Sequence, residues 1–132
     1  AQVHLEEKGQ RYISELSDGE RQRAMIAKVL AQSTPLLFFD EPTAHLDLPN
    51  RVSIMLLLAQ LAKTTGKSIL LSTHELELAM QVADKLWLMS DRGVQVGTTD
   101  QLIADGSFEN VFRSNQFSFN AETGRFIVNK PF

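Results

Sequence analysis

Leu36-Leu37-Phe38-Phe39 is an unbroken apolar run that ends abruptly in Asp40-Glu41-Pro42. Such a short run suits a strand buried on both faces, although periodicity alone also allows a buried helix segment. Pro42 favours the strand, because it cannot continue a central ladder and restrains Glu41 to extended backbone. The expected element is a buried strand that delivers two acids to its carboxyl end. In open α/β sheets that edge is where ligands bind. A second run, Ser68-Ile69-Leu70-Leu71-Ser72, ends in Thr73-His74. Between the two, Val52, Met55, Leu58 and Leu61, filled in by Ile54 and Leu57, give a helix with a wide apolar stripe. Pro49 fits its first turn and Gly66 its stop. Strand, helix and strand in this length form a βαβ crossover, which demands a parallel pair. Both polar ends should therefore lie on one rim.

The flanks are patterned more weakly. Residues 1–16 are mixed and mostly polar, interrupted by Gly9, and read as loosely helical. Ala24 to Ala31 is a strong helix former, apolar almost all round, and should be buried on several sides. Ser33-Thr34-Pro35 stops it. After His74, the positions Leu76, Ala79, Met80 and Ala83 mark an amphipathic helix with Glu75 and Glu77 in its first turn. Leu86 to Met89 reads as a third strand and Asp91-Arg92-Gly93 as a turn into a short strand at Val94 to Val96. Thr98-Thr99-Asp100 can cap a short helix through Ile103. Alternating residues around Asn120 to Gly124 predict a small hairpin.

Composition narrows the class. With 132 residues, 43% hydrophobic and 22% charged, the chain matches one ordinary globular domain. A formal net charge of -3 gives no electrostatic footprint for nucleic acid. The absence of cysteine excludes disulfides and thiolate metal sites. No apolar run is long enough to cross a bilayer and no signal pattern opens the chain, so a cytoplasmic chain is expected. A first residue of Ala1 rather than Met points to part of a longer protein.

Three clusters can carry chemistry. Mg²⁺ takes one or two carboxylates with phosphate oxygens and water. One of Asp40 and Glu41 could supply a carboxylate, leaving the other to accept a proton from an attacking water; the same pair could simply end a strand in solvent. Ser17-Asp18-Gly19-Glu20 has the spacing of a capping box, which explains Ser17 and Glu20. Gly19 costs stability inside a first turn, and its missing Cβ would let an anion reach the exposed N–H groups. His74 shares the rim of Glu41, a place for catalysis or phosphate sensing rather than for a core histidine. His4 and His45 have no such setting. No Gly-x-x-x-x-Gly-Lys-Ser/Thr loop occurs in the chain.

Together these stretches resemble the C-terminal half of an ABC-transporter ATP-binding subunit. Leu16 to Arg23 is similar to the signature motif, usually Leu-Ser-Gly-Gly-Gln, and Leu36 to Glu41 to the Walker B strand. Ala44-His45-Leu46-Asp47 resembles the D-loop, and Ser72-Thr73-His74 the switch histidine. The resemblance is firm over Ser14 to Met89. It implies a partial P-loop NTPase fold of α/β class, a parallel sheet with flanking helices lacking the P-loop strand. Residues 1–33 would end a helical subdomain with the signature motif and its helix. Residues 34–115 would form a RecA-like catalytic core, and 116–132 a C-terminal hairpin extension.

The resemblance also implies the site: Asp40 for Mg²⁺, Glu41 as general base and His74 on the γ-phosphate and the water. Ser17, Gly19 and Glu20 at the signature helix would meet the ATP of a second subunit, and Asp47 would bridge the homodimer. Other implied partners are transmembrane permease subunits and, indirectly, a substrate-binding protein, with no nucleic acid. The location would be the inner face of the cell membrane. Asp18 and Glu20 depart from the family's glycine and glutamine, as in the Asp-Gly-Glu signatures of some importer subunits. The P-loop, glutamine loop and adenine-stacking aromatic are missing, so the 132 residues alone are expected neither to hydrolyse ATP nor to bind it tightly. Asp84 to Met89, and Phe119 with Thr123-Gly124-Arg125-Phe126, resemble importers of iron–siderophore, haem or cobalamin complexes. The alternatives are a non-transport ABC ATPase of translation or DNA repair, or an inactive ABC-fold binding module.

Overall fold

The computed structural model describes residues 17–132. The helical reading of residues 1–16, and Leu16 of the signature stretch, lie outside the described residues. The chain falls into two compact units that divide between Leu76 and Glu77.

In the first unit α1 (Asp18–Leu30) leads to β1 (Leu36–Asp40), α2 (Leu48–Thr65) and β2 (Ser68–Ser72). Ser17 caps α1 by accepting the Glu20 N–H at 3.2 Å. Asp47 caps α2, Pro49 sits in its first turn, and Gly66 ends it in the left-handed region at φ 68°. β1 and β2 pair in parallel, with Leu37 opposite Ile69 and Asp40 opposite Ser72. That register puts both strands' carboxyl ends side by side, as the crossover requires. The Lys67 ammonium fastens the start of β2 to the end of α1, donating to the Gln32 and Thr34 carbonyls at 2.8 Å each.

The core of this unit gathers Ile26, Leu46, Ile54, Leu57, Leu58 and Leu61, with Phe39, Ile69 and Leu71 packed against it. Removing these side chains from water is the main stabilising term, worth about 1.5–3 kcal/mol for each fully buried large residue. Burial on β1 alternates. Leu37 is buried, whereas Leu36 is 44% and Phe38 65% exposed. The expectation of a strand covered on both faces is thus not met among the described residues: α2 and its core lie on one side of the two-stranded ribbon. Likewise α1 buries Gly19 and Ile26 while Met25 is half exposed. Its apolar surface exceeds what α2 covers.

In the second unit, α3 (Leu76–Val82), which opens at the division, precedes β3 (Leu86–Ser90) and β4 (Gly93–Gly97), an antiparallel pair. α4 (Thr99–Ala104) starts at a reciprocal capping box between Thr98 and Gln101. The next helix, α5 (Ser107–Val111), is not marked by hydrophobic periodicity; it opens at Gly106, left-handed at φ 78°. There the Asp105 carboxylate accepts the Ser107 hydroxyl and N–H. These two hydrogen bonds, the hydroxyl's first, hold its pKa below the ordinary carboxylate value. The expected tail hairpin is present as β5 (Phe117–Asn120) and β6 (Arg125–Val128). Phe108, fully buried, stacks on Phe119 at 5.0 Å between ring centroids, and Phe126 meets Phe119 edge-on at 5.3 Å. Aromatic packing therefore closes this unit.

Candidate active site at the ends of the parallel strands

The parallel register brings Asp40 beside Ser72, and the Ser72 hydroxyl organises the junction. It donates to Asp40 Oδ1 at 2.6 Å and accepts the Glu41 N–H at 2.9 Å. Glu41 has φ 44°, so the extended backbone expected before Pro42 is not what forms. Two contacts outweigh the bias from proline. Ser72 holds the Glu41 N–H, and the Glu41 carbonyl accepts from the Ala44 N–H at 3.0 Å to close a turn. Pro42 and Thr43 inside that turn are buried, which fixes it from below.

The turn directs the Glu41 side chain toward the end of β2. Glu41 Oε1 lies 2.6 Å from His74 Nε2, an ion pair when the imidazole is protonated. The His74 side chain is 90% exposed and that of Glu41 42%, so solvent reaches both. A cleft of about 120 Å³ lies against them, lined by Glu41, Thr43, Ala44, Thr73, His74 and Glu75. Drug-sized ligands need roughly 300 Å³ or more. A water needs only on the order of 10–15 Å³. The cleft therefore has room for several waters beside a carboxylate and an imidazole.

The remaining sequence candidates lie around the start of α2. Asp47 Oδ1 accepts the Asn50 N–H at 3.1 Å and the Asn50 side-chain amide at 2.8 Å. The same Asn50 side chain fills the space in front of Gly19. A Cβ at Gly19 would stand 3.0 Å from Asn50 Oδ1 and 3.3 Å from its Cγ. Close packing of α1 on α2 is thus a second reason for glycine at this position, beside access for an anion. Gly19 joins the frame of Asp47 through Asn50, while Ser72 gathers Asp40 and Glu41, and Glu41 in turn meets His74.

No group of three or more His, Cys, Asp or Glu residues is placed to hold a metal ion among the described residues. A single carboxylate, Asp40, offers hard oxygen ligands, and Mg²⁺ commonly completes its shell with phosphate and water. That donor set fits Mg²⁺ bound together with a nucleotide. Sequence reasoning missed Ser72, Asn50 and Arg51. Arg51 donates from Nε to the Leu46 carbonyl at 2.7 Å and pairs with Glu75 Oε1 at 2.9 Å. Ser72 could have been found as the polar residue closing the second strand, had the register been known.

A parallel βαβ unit that ends in paired acids and a histidine has the architecture of an ABC-type ATPase core, here a partial domain. The comparisons agree. Residues 2–80 match the family profile described as "AAA domain, putative AbiEii toxin, Type IV TA system". The chain belongs to this family of AAA-type domains, and its homologues are ATP-binding subunits of ABC transporters. It is 36% identical over 112 residues to the Bacillus subtilis (strain 168) protein named probable siderophore transport system ATP-binding protein YusV, covering 84% of this chain and 41% of that protein. It is 47% identical over 88 residues to the taurine import ATP-binding protein TauB of Shigella flexneri, covering 67% of this chain and 34% of that protein. Among solved structures it is similar to one described as an inward-facing metal-chelate type ABC transporter. That match has a TM-score of 0.79 and 26% identity, and covers 97% of this chain and 54% of the other. The chain thus spans well under half the length of these two curated relatives.

Proposed function

We propose that these residues belong to an ATP-hydrolysing subunit that powers an ABC importer. The observation that carries the reading is the 2.6 Å contact of Glu41 with His74 beside a cleft with room for water, next to an Asp40 held by Ser72. In this reading Glu41 is the general base. Its carboxylate accepts the proton of a water seated in the cleft as that water attacks the γ-phosphate. His74 holds the Glu41 carboxylate in line and reaches the γ-phosphate and the water. Asp40 would hold Mg²⁺, which supplies positive charge to the phosphate oxygens. Ser17, Gly19 and Glu20 present the N-terminus of α1 to ATP carried by a second subunit. An anion there is favoured by the helix dipole. Asp47, at the start of α2, bridges the two subunits.

One chain then serves two composite sites in a homodimer, seated on transmembrane permease subunits at the cytoplasmic face and fed by a substrate-binding protein. In the same reading 1–33 ends the helical subdomain, 34–115 forms the catalytic core and 116–132 is an extension. Siderophore, haem or cobalamin complexes are the cargo class we favour. The likeness to YusV supports it, as does the tail from Phe119 to Phe126. The likeness to TauB marks the competing class of small organic solutes. General-base catalysis is typically worth on the order of 10²–10⁴-fold in rate. In the longer subunit, Glu41→Gln is expected to abolish turnover while ATP still drives dimer closure. A variant keeping more than about a tenth of the wild-type rate would remove Glu41 from the role.

A further inference from the structure

We propose that Arg51 is a positioning residue that ties the loop before Asp47 to the segment carrying His74, so that both hold one geometry. The inference rests on the reading of Glu41 and His74 given above. Arg51 lies in the first turn of α2, and its guanidinium is engaged on two sides. Nε donates to the Leu46 carbonyl at 2.7 Å, and one terminal nitrogen lies 2.9 Å from Glu75 Oε1. A guanidinium is planar and rigid, so these two partners are fixed relative to each other.

Each partner passes the constraint on. Leu46 is buried in the core of the unit, and its N–H donates to the Thr43 carbonyl at 3.3 Å, within the turn that begins at Glu41. Glu75 follows His74 directly and donates its N–H to the Thr73 hydroxyl at 2.9 Å. Leu76 N–H donates to the His74 carbonyl at 3.0 Å. A closed circuit results: core to Leu46, Leu46 to Arg51, Arg51 to Glu75, and Glu75 through the backbone to His74. From His74 it reaches Glu41. His74 is otherwise a largely exposed side chain at a strand end, with little packing to hold it. An isolated pair at this exposure would stabilise the fold only weakly. Its value lies in geometry, because small misplacements of reacting groups are costly in rate.

The test uses the longer ATP-binding subunit that carries this sequence, with the variants Arg51→Met, Arg51→Lys, Glu75→Met and the double Met variant. Amide hydrogen exchange is read at residues 44–48, which Glu75 does not itself contact in the circuit. Glu75→Met is expected to raise exchange there, and the double variant to raise it no further than Arg51→Met. Steady-state kinetics should show kcat lowered on the order of 10-fold to 10²-fold in Arg51→Met, with KM for ATP within about twofold of wild type. Arg51→Lys keeps the charge but not the fork; it should recover thermal stability and leave kcat depressed. Unchanged exchange at 44–48 in Glu75→Met, or a wild-type kcat in Arg51→Met, overturns the proposal. Should the wild-type subunit hydrolyse no ATP, the reading of Glu41 and His74 falls, and the exchange experiment still decides the role of Arg51.

Discussion

A serine hydroxyl has one proton to give and lone pairs to accept with, and Ser72 uses both on neighbouring acids. Its proton goes to Asp40 and its oxygen takes the Glu41 N–H. The second bond helps hold Glu41 at φ 44°, a backbone state that costs an ordinary residue about 1–2 kcal/mol. A single hydrogen bond returns roughly 0.5–1.5 kcal/mol, so Ser72 alone only just offsets the cost and the Ala44 turn is needed too. Ser72→Ala should therefore loosen both acids at once. The expected outcome in the longer subunit is a kcat lowered on the order of 10-fold or more, while Ser72→Thr, which keeps the hydroxyl and suits a strand, stays near wild type. Steady-state ATPase assays check this, and a wild-type rate in the alanine variant would remove Ser72 from the site. That Asp40, Glu41 and His74 share one rim was legible in the sequence, because each follows an apolar run that reads as a strand. Ser72 was not legible as a partner of Asp40: the two lie 32 residues apart, and register is decided by packing over that distance.

At the scale of elements, α2 shows what local signals can specify. Asp47, Pro49 and Gly66 mark its beginning and end, and the structure places it at Leu48–Thr65. Gly66 stands at φ 68° with nothing within 4 Å of where a Cβ would be. The strain of a side chain there is thus conformational rather than steric. Gly66→Ala is expected to destabilise the fold by about 1 kcal/mol, read as a shifted midpoint in urea unfolding with an unchanged slope. The left-handed stop also releases the chain at Lys67, whose ammonium binds the carbonyls after α1. Burial was less legible than element type. The apolar runs of α1 and β1 say how much surface wants covering; they do not say what covers it, and Met25 and Phe38 remain exposed here. α5 escaped notice because its start depends on Asp105, Gly106 and Ser107 making a turn, a three-residue signal too short for periodicity to register.

At the scale of the molecule, the 132 residues contain paired acids, a histidine and a capped helix start, but no glycine-rich phosphate loop. Phosphate affinity in nucleotide-binding folds of this kind comes largely from backbone N–H groups cradling the anion. The 132 residues by themselves are therefore expected to show no saturable MgATP binding at micromolar concentration by titration calorimetry. Saturable binding would mean that the strand ends and the start of α1 form a phosphate site unaided. One contact has a wider consequence. Asn50 presses against Gly19 while its amide and its backbone both serve Asp47. A methyl group at 19 would stand 3.0 Å from Asn50 Oδ1, so the asparagine amide must give by a few tenths of an ångström, and that amide is one of the two donors to the Asp47 carboxylate. A substitution in the opening helix would thus press on the cap of the next one.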